Sequence, residues 1–168
     1  AVSYSGEITF EEDVINVTVL GKALRNHAES VAQRLRHDNV RALTVVLKWK
    51  ESQRVVPGPY GYPVHTRRVT LAEATDDGAT IAVEAKRLLV QSGSLGPVRL
   101  IGVGCTNLVK GVSSQLPLFS FAKERKRSSL NRVLDRITER FGKGTLTRAT
   151  ESGDRTALSL KIKREDEE

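Results

Sequence analysis

The side chains that could perform chemistry are few and scattered along this chain of 168 residues. Its histidines, His27, His37 and His65, show no H-E-x-x-H or other metal-ligand spacing. The single cysteine, Cys105, lies in an apolar strand pattern, where core packing explains it better than nucleophilic catalysis. The glycines around it lack the G-x-x-x-x-G-K-[ST] pattern of a phosphate loop. We therefore expect no catalytic residue, metal site, cofactor or small-molecule substrate in this chain.

An apolar pentapeptide, QLPLF, stands where a polar loop would be usual. It consists of Gln115, Leu116, Pro117, Leu118 and Phe119, and it follows a stretch that contains glycine and serine. Two interpretations remain open from the residues alone. The leucines and the phenylalanine pack on the core, or the segment is kept free for a partner's pocket.

The charge of the chain favours a polyanionic partner. Lysine and arginine total 27 against 20 aspartates and glutamates, which gives a net charge of +7, and the last four residues, Glu165 to Glu168, are all acidic. The body of the protein is therefore more basic than the total suggests. The lone cysteine excludes an intrachain disulfide and favours a reducing, cytoplasmic location. No apolar run approaches the ~20 residues that cross a bilayer, so no membrane partner is expected.

Periodicity predicts the elements that position these residues. Period-two alternation marks four strands, and 3.6-residue periodicity marks helices between and after them. Asp13 is expected to cap the first helix and Asp76 or Asp77 the second. In the clearest strand, RALTVVLKWK, the predicted core face carries Leu43, Val45, Leu47 and Trp49. The order βαββαβ predicts an α+β fold, a split (ferredoxin-like) four-stranded antiparallel sheet with two helices on one face.

The sheet face without helices is the candidate binding surface, and we call it the open face. Hydroxyls and cations are suited to nucleic acid, because cations neutralise phosphates and hydroxyls donate to phosphate oxygens. The alternative is an ordinary solvated surface. The open face is predicted to carry Thr44, Lys48, Lys50, Thr66, Arg68 and Thr70.

A C-terminal extension with one helix follows the sheet. Apolar residues recur at helical spacing from Leu130 to Phe141, and Phe121 to Arg148 holds nine lysines and arginines against three acidic residues. We expect residues 1–110 to form the binding domain and 111–121 to link it to the extension. Residues 122–148 then hold the basic amphipathic helix, and 149–168 form a flexible tail.

Four segments carry a family resemblance: SGEITFEEDV, VRALTVVLKWK, HTRRVTLAEATDD and VRLIGVGCTNL. In this order, with helices between them, they resemble the little-finger domain of Y-family translesion DNA polymerases, in particular the bacterial DNA polymerase IV class. QLPLF is similar to the sliding-clamp binding motif that such polymerases carry beyond this domain, commonly Q-L-[SD]-L-F. Pro117 departs from that pattern, but an extended peptide tolerates proline, which only fixes φ and removes one donor.

The resemblance implies two partners, primer–template DNA and the sliding clamp. DNA would be held at the open face, largely by backbone contacts, and the clamp would bind residues 115–119. The DNA-binding residues implied are Thr44, Lys48, Lys50, Thr66, Arg67, Arg68, Thr70 and Arg99. Parity places Arg67 on the helix-covered side, so it would reach the DNA round the sheet edge.

The catalytic palm and its Mg²⁺ ions have no counterpart in this sequence. The start at Ala1 favours a fragment of a polymerase found in the cytoplasm with the nucleoid. The alternatives are a stand-alone relative that scaffolds the clamp and repair proteins, or a generic nucleic-acid-binding module. An RNA-binding module is disfavoured because the strands lack the aromatic-rich pattern that stacks bases.

Overall fold

A computed structural model of the chain describes residues 3–53, 55, 61–93, 96–110, 121–142 and 145. Within them the predicted order of strands and helices is confirmed, including the helix of the extension. The elements are β1 Tyr4–Val14, α1 Val17–His37, β2 Val40–Glu51, β3 Val64–Thr75, α2 Gly78–Gln91, β4 Val98–Lys110 and α3 Phe121–Phe141.

The four strands form one antiparallel sheet in the order β1-β4-β2-β3. Strand β4 lies between β1 and β2, and β2 lies between β3 and β4. Each βαβ unit is therefore split by a strand of the other, as the predicted fold class requires. This order puts β4 and β2 at the centre, and it decides which side chains meet across the open face.

Helices α1 and α2 cover one face of the sheet and enclose the hydrophobic core. The apolar positions of α1 at helical spacing are fully buried, as their periodicity predicts. From the sheet, alternate residues enter the same core, since successive side chains of a strand point to opposite faces. The largest fully buried side chains are Leu20, Leu24, Val31, Leu35, Val45, Leu47, Ile81, Leu89, Val98, Ile101 and Val103, together with Cys105.

One expectation about the core face of β2 is wrong. Leu43 is only half-buried, and its neighbour Ala42 is fully buried instead. The change coincides with two irregularities, since Asn107 of β4 has a φ of 53° and the register of β2 with β3 shifts between Ala42 and Thr44. In the pairing of β2 with β4, Ala42 and Thr44 each have a partner and Leu43 has none. At this point the core residues of β2 change from even-numbered to odd-numbered positions.

The two helix caps differ from prediction in one case. Asn16, not Asp13, caps α1, and its side-chain oxygen accepts a hydrogen bond from the Thr18 amide at 2.8 Å. Strand β1 continues through Asp13 to Val14, so the aspartate lies too early to serve as the cap. The predicted cap of α2 is confirmed at Asp77.

The chain divides into two compact units, Ala1–Asn131 and Arg132–Glu168. The first unit contains the sheet, α1, α2 and the beginning of α3, and Asn131 is buried in it beside Asp77. In the second unit the described backbone is helical from residue 132 to 141. The linker and tail boundaries expected at residues 110, 121 and 148 stay predictions, and most of residues 143–168 lie outside the described part of the chain.

Candidate nucleic-acid interface

The open face is built as rows of side chains that cross the four strands. Its residues alternate with the core residues along each strand, so that a row is one register position of the sheet. In strand order β1, β4, β2, β3, the rows are Thr9, Leu100, Lys50 and Val64; then Glu7, Gly102, Lys48 and Thr66; then Ser5, Gly104, Val46 and Arg68. A fourth, shorter row is Thr106, Thr44 and Thr70.

Three predicted cations lie together on this face, on the adjacent strands β2 and β3. Lys48 Nζ is 3.1 Å from Glu7 Oε2, and Lys50 Nζ is 4.9 Å from the centre of the Tyr62 ring. Arg68 is exposed, and among the described residues it forms no ion pair. Positive charge is thus concentrated on one half of the sheet, where it can neutralise phosphates.

The predicted hydroxyls separate into exposed and buried groups. Thr66 and Thr70 are exposed and available to a ligand. Thr44 keeps only 3% of its surface, and its hydroxyl accepts a hydrogen bond from Asn107 Nδ2 at 2.9 Å and pairs with the Thr70 hydroxyl at 3.3 Å. Thr44 is therefore largely withdrawn from solvent on this face, and its contact with DNA stays a prediction.

Arg67 and Arg99 lie outside these rows. Arg67 pairs in register with Leu47, a core residue, so it stands on the helix side of edge strand β3, as parity predicts, and it is exposed there. Arg99 is also exposed, and one of its guanidinium nitrogens lies 3.1 Å from Asp13 Oδ1. Their contacts with DNA stay predictions.

Sequence reasoning missed the acidic residue of the open face, Glu7. The alternation of β1 is enough to place Glu7 opposite the core residues Ile8 and Phe10. Its meeting with Lys48 depends on the strand order, because β4 separates the two strands, and local patterns do not fix that order.

The residues with catalytic potential are not brought together. Burial raises the pKa of Cys105 to about 12, so the thiol is protonated at neutral pH and is a poor nucleophile. His27 is half-buried against Gly6, and burial, with the charge of Arg34, lowers its pKa.

Among the described residues there is no group of three or more metal-ligating side chains. No helix in that part of the chain is long and apolar enough to span a membrane.

Comparison with known proteins shows the family to which the chain belongs. Residues 1–118 match the model of the impB/mucB/samB family C-terminal domain, which is more than half of the chain. The chain belongs to this family. Its impB/mucB/samB C-terminal domain comprises all four strands and both helices of the core, so the predicted resemblance to Y-family little fingers is confirmed.

Curated proteins similar to this chain include DNA polymerases IV. It is 38% identical over 151 residues to DNA polymerase IV of Desulfatibacillum aliphaticivorans, covering 87% of this chain and 36% of the relative. It is also 38% identical over 119 residues to DNA polymerase IV of Methanoculleus marisnigri, covering 71% of this chain and 31% of the relative. The chain thus spans about a third of the length of these relatives.

A solved structure shares the fold. An insertion ternary complex of Dbh DNA polymerase matches with a TM-score of 0.53 and 14% identity, covering 66% of this chain and 29% of that one. At this identity the likeness concerns the fold alone. The QLPLF motif, Gln115 to Phe119, lies outside the described residues, so its place in the chain is known from sequence only.

Proposed function

We propose that this chain is the DNA-holding C-terminal region of a Y-family DNA polymerase of the polymerase IV class. Its open face would bind primer–template DNA largely through phosphate contacts. The observation that carries the proposal is the grouping of Lys48, Lys50 and Arg68 on two adjacent strands, on the sheet face opposite α1 and α2. Residues two apart on a strand stand about 6.6–6.8 Å from each other, so the three cations form a patch rather than a single contact.

The composition of the patch favours phosphates over bases. Exposed threonines adjoin the cations, and the rows contain no aromatic side chain that could stack on a base. Base-edge readout usually needs a helix or a two-stranded ribbon inserted in the major groove, whereas a broad sheet face meets the backbone first. Binding should therefore depend little on sequence and strongly on salt.

The second part of the proposal concerns the clamp. QLPLF supplies a polar anchor, Gln115, and apolar anchors, Leu116, Leu118 and Phe119, for a pocket on a sliding clamp. Support for this comes from the sequence motif and from the family to which the chain belongs. In this proposal nucleotidyl transfer and its Mg²⁺ ions belong to the catalytic part of the polymerase.

The test of the DNA-binding proposal is a fluorescence-anisotropy titration of a labelled primer–template duplex. A Lys48→Ala/Lys50→Ala/Arg68→Ala variant should bind about tenfold or more weakly than the wild type, for every duplex sequence tried. The slope of log K against log salt should fall by about 0.9 for each phosphate that the variant no longer neutralises.

The matched control removes three cations from the helix layer instead, as Lys22→Ala/Lys86→Ala/Arg87→Ala. It has the same net charge as the open-face variant, so long-range attraction is equal in the two proteins. Equal affinities of the two variants would show that the open face does not bind DNA. A preference for single-stranded RNA would favour a different nucleic-acid partner.

A further inference from the structure

Strand β1 places carboxylates beside cations that are candidates for DNA binding. Glu7 on β1 meets Lys48 on β2, with 3.1 Å between Oε2 and Nζ. Asp13, further along β1, meets Arg99 on β4 at the same distance. A basic binding surface that contains such pairs carries less free positive charge than its sequence suggests.

The Glu7–Lys48 pair crosses a strand that lies between its partners. Both residues belong to the row that contains Gly102 of β4, so the ion pair passes over the backbone of β4. Neighbouring strands are about 4.8 Å apart, and two long side chains are needed to span two such intervals. Both side chains remain about half exposed, 46% for Lys48 and 51% for Glu7, so a ligand can reach the pair.

Gly102 is the residue of β4 over which the ion pair passes, and it is buried there. A Cβ atom at Gly102 would lie 2.6 Å from Glu7 Cβ and 2.8 Å from the carbonyl oxygen of Gly6. These distances are shorter than packed atoms allow, so β1 lies against β4 closely only because position 102 has no side chain. The lack of a side chain at this position of β4 therefore lets β1 pack close to it, and Glu7 on β1 can reach Lys48 on β2.

The remaining open-face cations have different neighbours. Lys50 faces the ring of Tyr62, and Arg68 makes no ion pair with any residue in the described ranges. The carboxylate competitor is therefore specific to Lys48 among the three cations of the patch.

We propose that Glu7 occupies, on Lys48, the position that a DNA phosphate takes in the complex, and so limits the affinity of the domain for DNA. This inference rests on the proposed function of the open face. Binding then exchanges a carboxylate for a phosphate at the Lys48 ammonium instead of adding a new ion pair. An exposed ion pair is weak, and so the exchange is readily reversible. Such a competitor suits a domain that must release and re-engage the backbone as the duplex moves.

The test compares Glu7→Gln with the wild type in the same anisotropy titration, at several salt concentrations. Glutamine keeps the size of the side chain but removes the charge that competes with phosphate. We expect Glu7→Gln to bind the duplex about 2- to 5-fold more tightly at low salt, the range set by the free energy of an exposed ion pair. The gain should shrink as salt rises, because salt screens the competing carboxylate.

Two further proteins separate competition from a general change of charge. Glu84→Gln removes the carboxylate that pairs with Arg87 at 2.6 Å on α2, and we expect it to gain clearly less affinity than Glu7→Gln, because its ion-pair partner is a residue of the helix layer and not an open-face cation. In a Lys48→Ala background, Glu7→Gln should give no more gain than Glu84→Gln. A Glu7→Gln protein that binds no more tightly than Glu84→Gln would overturn the inference, as would an equal gain without Lys48.

Failure of the inference and failure of the proposed function give different results. If the wild type binds the duplex and the Lys48→Ala/Lys50→Ala/Arg68→Ala variant does not, the open face is the DNA site. That conclusion holds whether or not Glu7→Gln changes the affinity. If the wild type fails to bind any duplex, the proposed function itself is overturned.

Discussion

At the scale of single residues, Gly102 decides how closely β1 approaches the centre of the sheet. We expect Gly102→Ala to lower the free energy of unfolding by about 1–3 kcal/mol, because the new methyl group meets backbone atoms of β1 that cannot turn aside. Urea denaturation followed by circular dichroism measures this change.

Gly21 in α1 offers the matched control for Gly102. A Cβ there would meet only the side chain of Lys86, at 4.0 Å, so Gly21→Ala should be neutral or stabilise the fold by about 0.5–1 kcal/mol. If Gly102→Ala proved as stable as the wild type, β1 would have to move away from β4 at no cost. The close approach of β1 to β4 would then have no structural importance.

At the scale of elements, the beginning of α3 contacts the N-terminal cap of α2. Asp77 accepts hydrogen bonds from Asn131 Nδ2 at 3.0 Å and from the Thr80 amide at 3.0 Å, and a guanidinium nitrogen of Arg127 lies 3.7 Å away. Burial alone would raise the pKa of Asp77, but these hydrogen bonds and the charge of Arg127 outweigh it, and the pKa is lowered. The carboxylate is therefore the form that holds the beginning of α3 beside α2.

Removal of the Asn131 amide tests this contact. We expect Asn131→Ala to lower the free energy of unfolding at pH 7 by about 1–3 kcal/mol, since the variant lacks a buried hydrogen bond to a charged group. A folded-state pKa below the ordinary value of about 3.9 means that ionised Asp77 stabilises the fold above that pH. The stabilisation disappears as the pH falls through the lowered pKa, so the difference between variant and wild type should shrink below about pH 4.

The control for Asn131 is Ser129→Ala, at an exposed position two residues earlier in the same helix. It should leave both the free energy of unfolding and its pH dependence close to those of the wild type. A destabilisation in Asn131→Ala that stayed constant from pH 7 to pH 3 would mean that the ionised state of Asp77 does not hold the beginning of α3.

Local patterns predict most elements here, because periodicity reports which face of each element is buried. The same reasoning places Arg67 correctly on the helix side of β3. It fails at Leu43, because the irregularities at this point involve the neighbouring strands β3 and β4, whose pairing with β2 the local pattern does not show. It fails for the Glu7–Lys48 pair for a related reason, since only the strand order brings these two residues together.

At the scale of the whole molecule, the proposed function gives the chain two separate means of staying on DNA. The open face would hold the duplex directly, and QLPLF would hold a ring that encircles it. Two weak contacts on one chain raise each other's effective concentration, so their combined affinity exceeds either alone without any new contact. A domain whose DNA affinity is limited by Glu7 would depend more on the clamp than a domain with three free cations.

The clamp contact is measurable by itself, by calorimetric titration of the chain into a bacterial sliding clamp without DNA. We expect binding in the micromolar range, because a short peptide with one or two deep anchors gives modest affinity. A Gln115→Ala/Phe119→Ala variant should not bind. The control, Gln91→Ala/Phe141→Ala, removes the same two residue types from exposed positions outside the motif and should bind like the wild type.

If the intact chain gave no binding heat, and no binding appeared by a second method, QLPLF would have to pack within the protein. The DNA-binding role of the open face would still stand, since it rests on β2 and β3 alone.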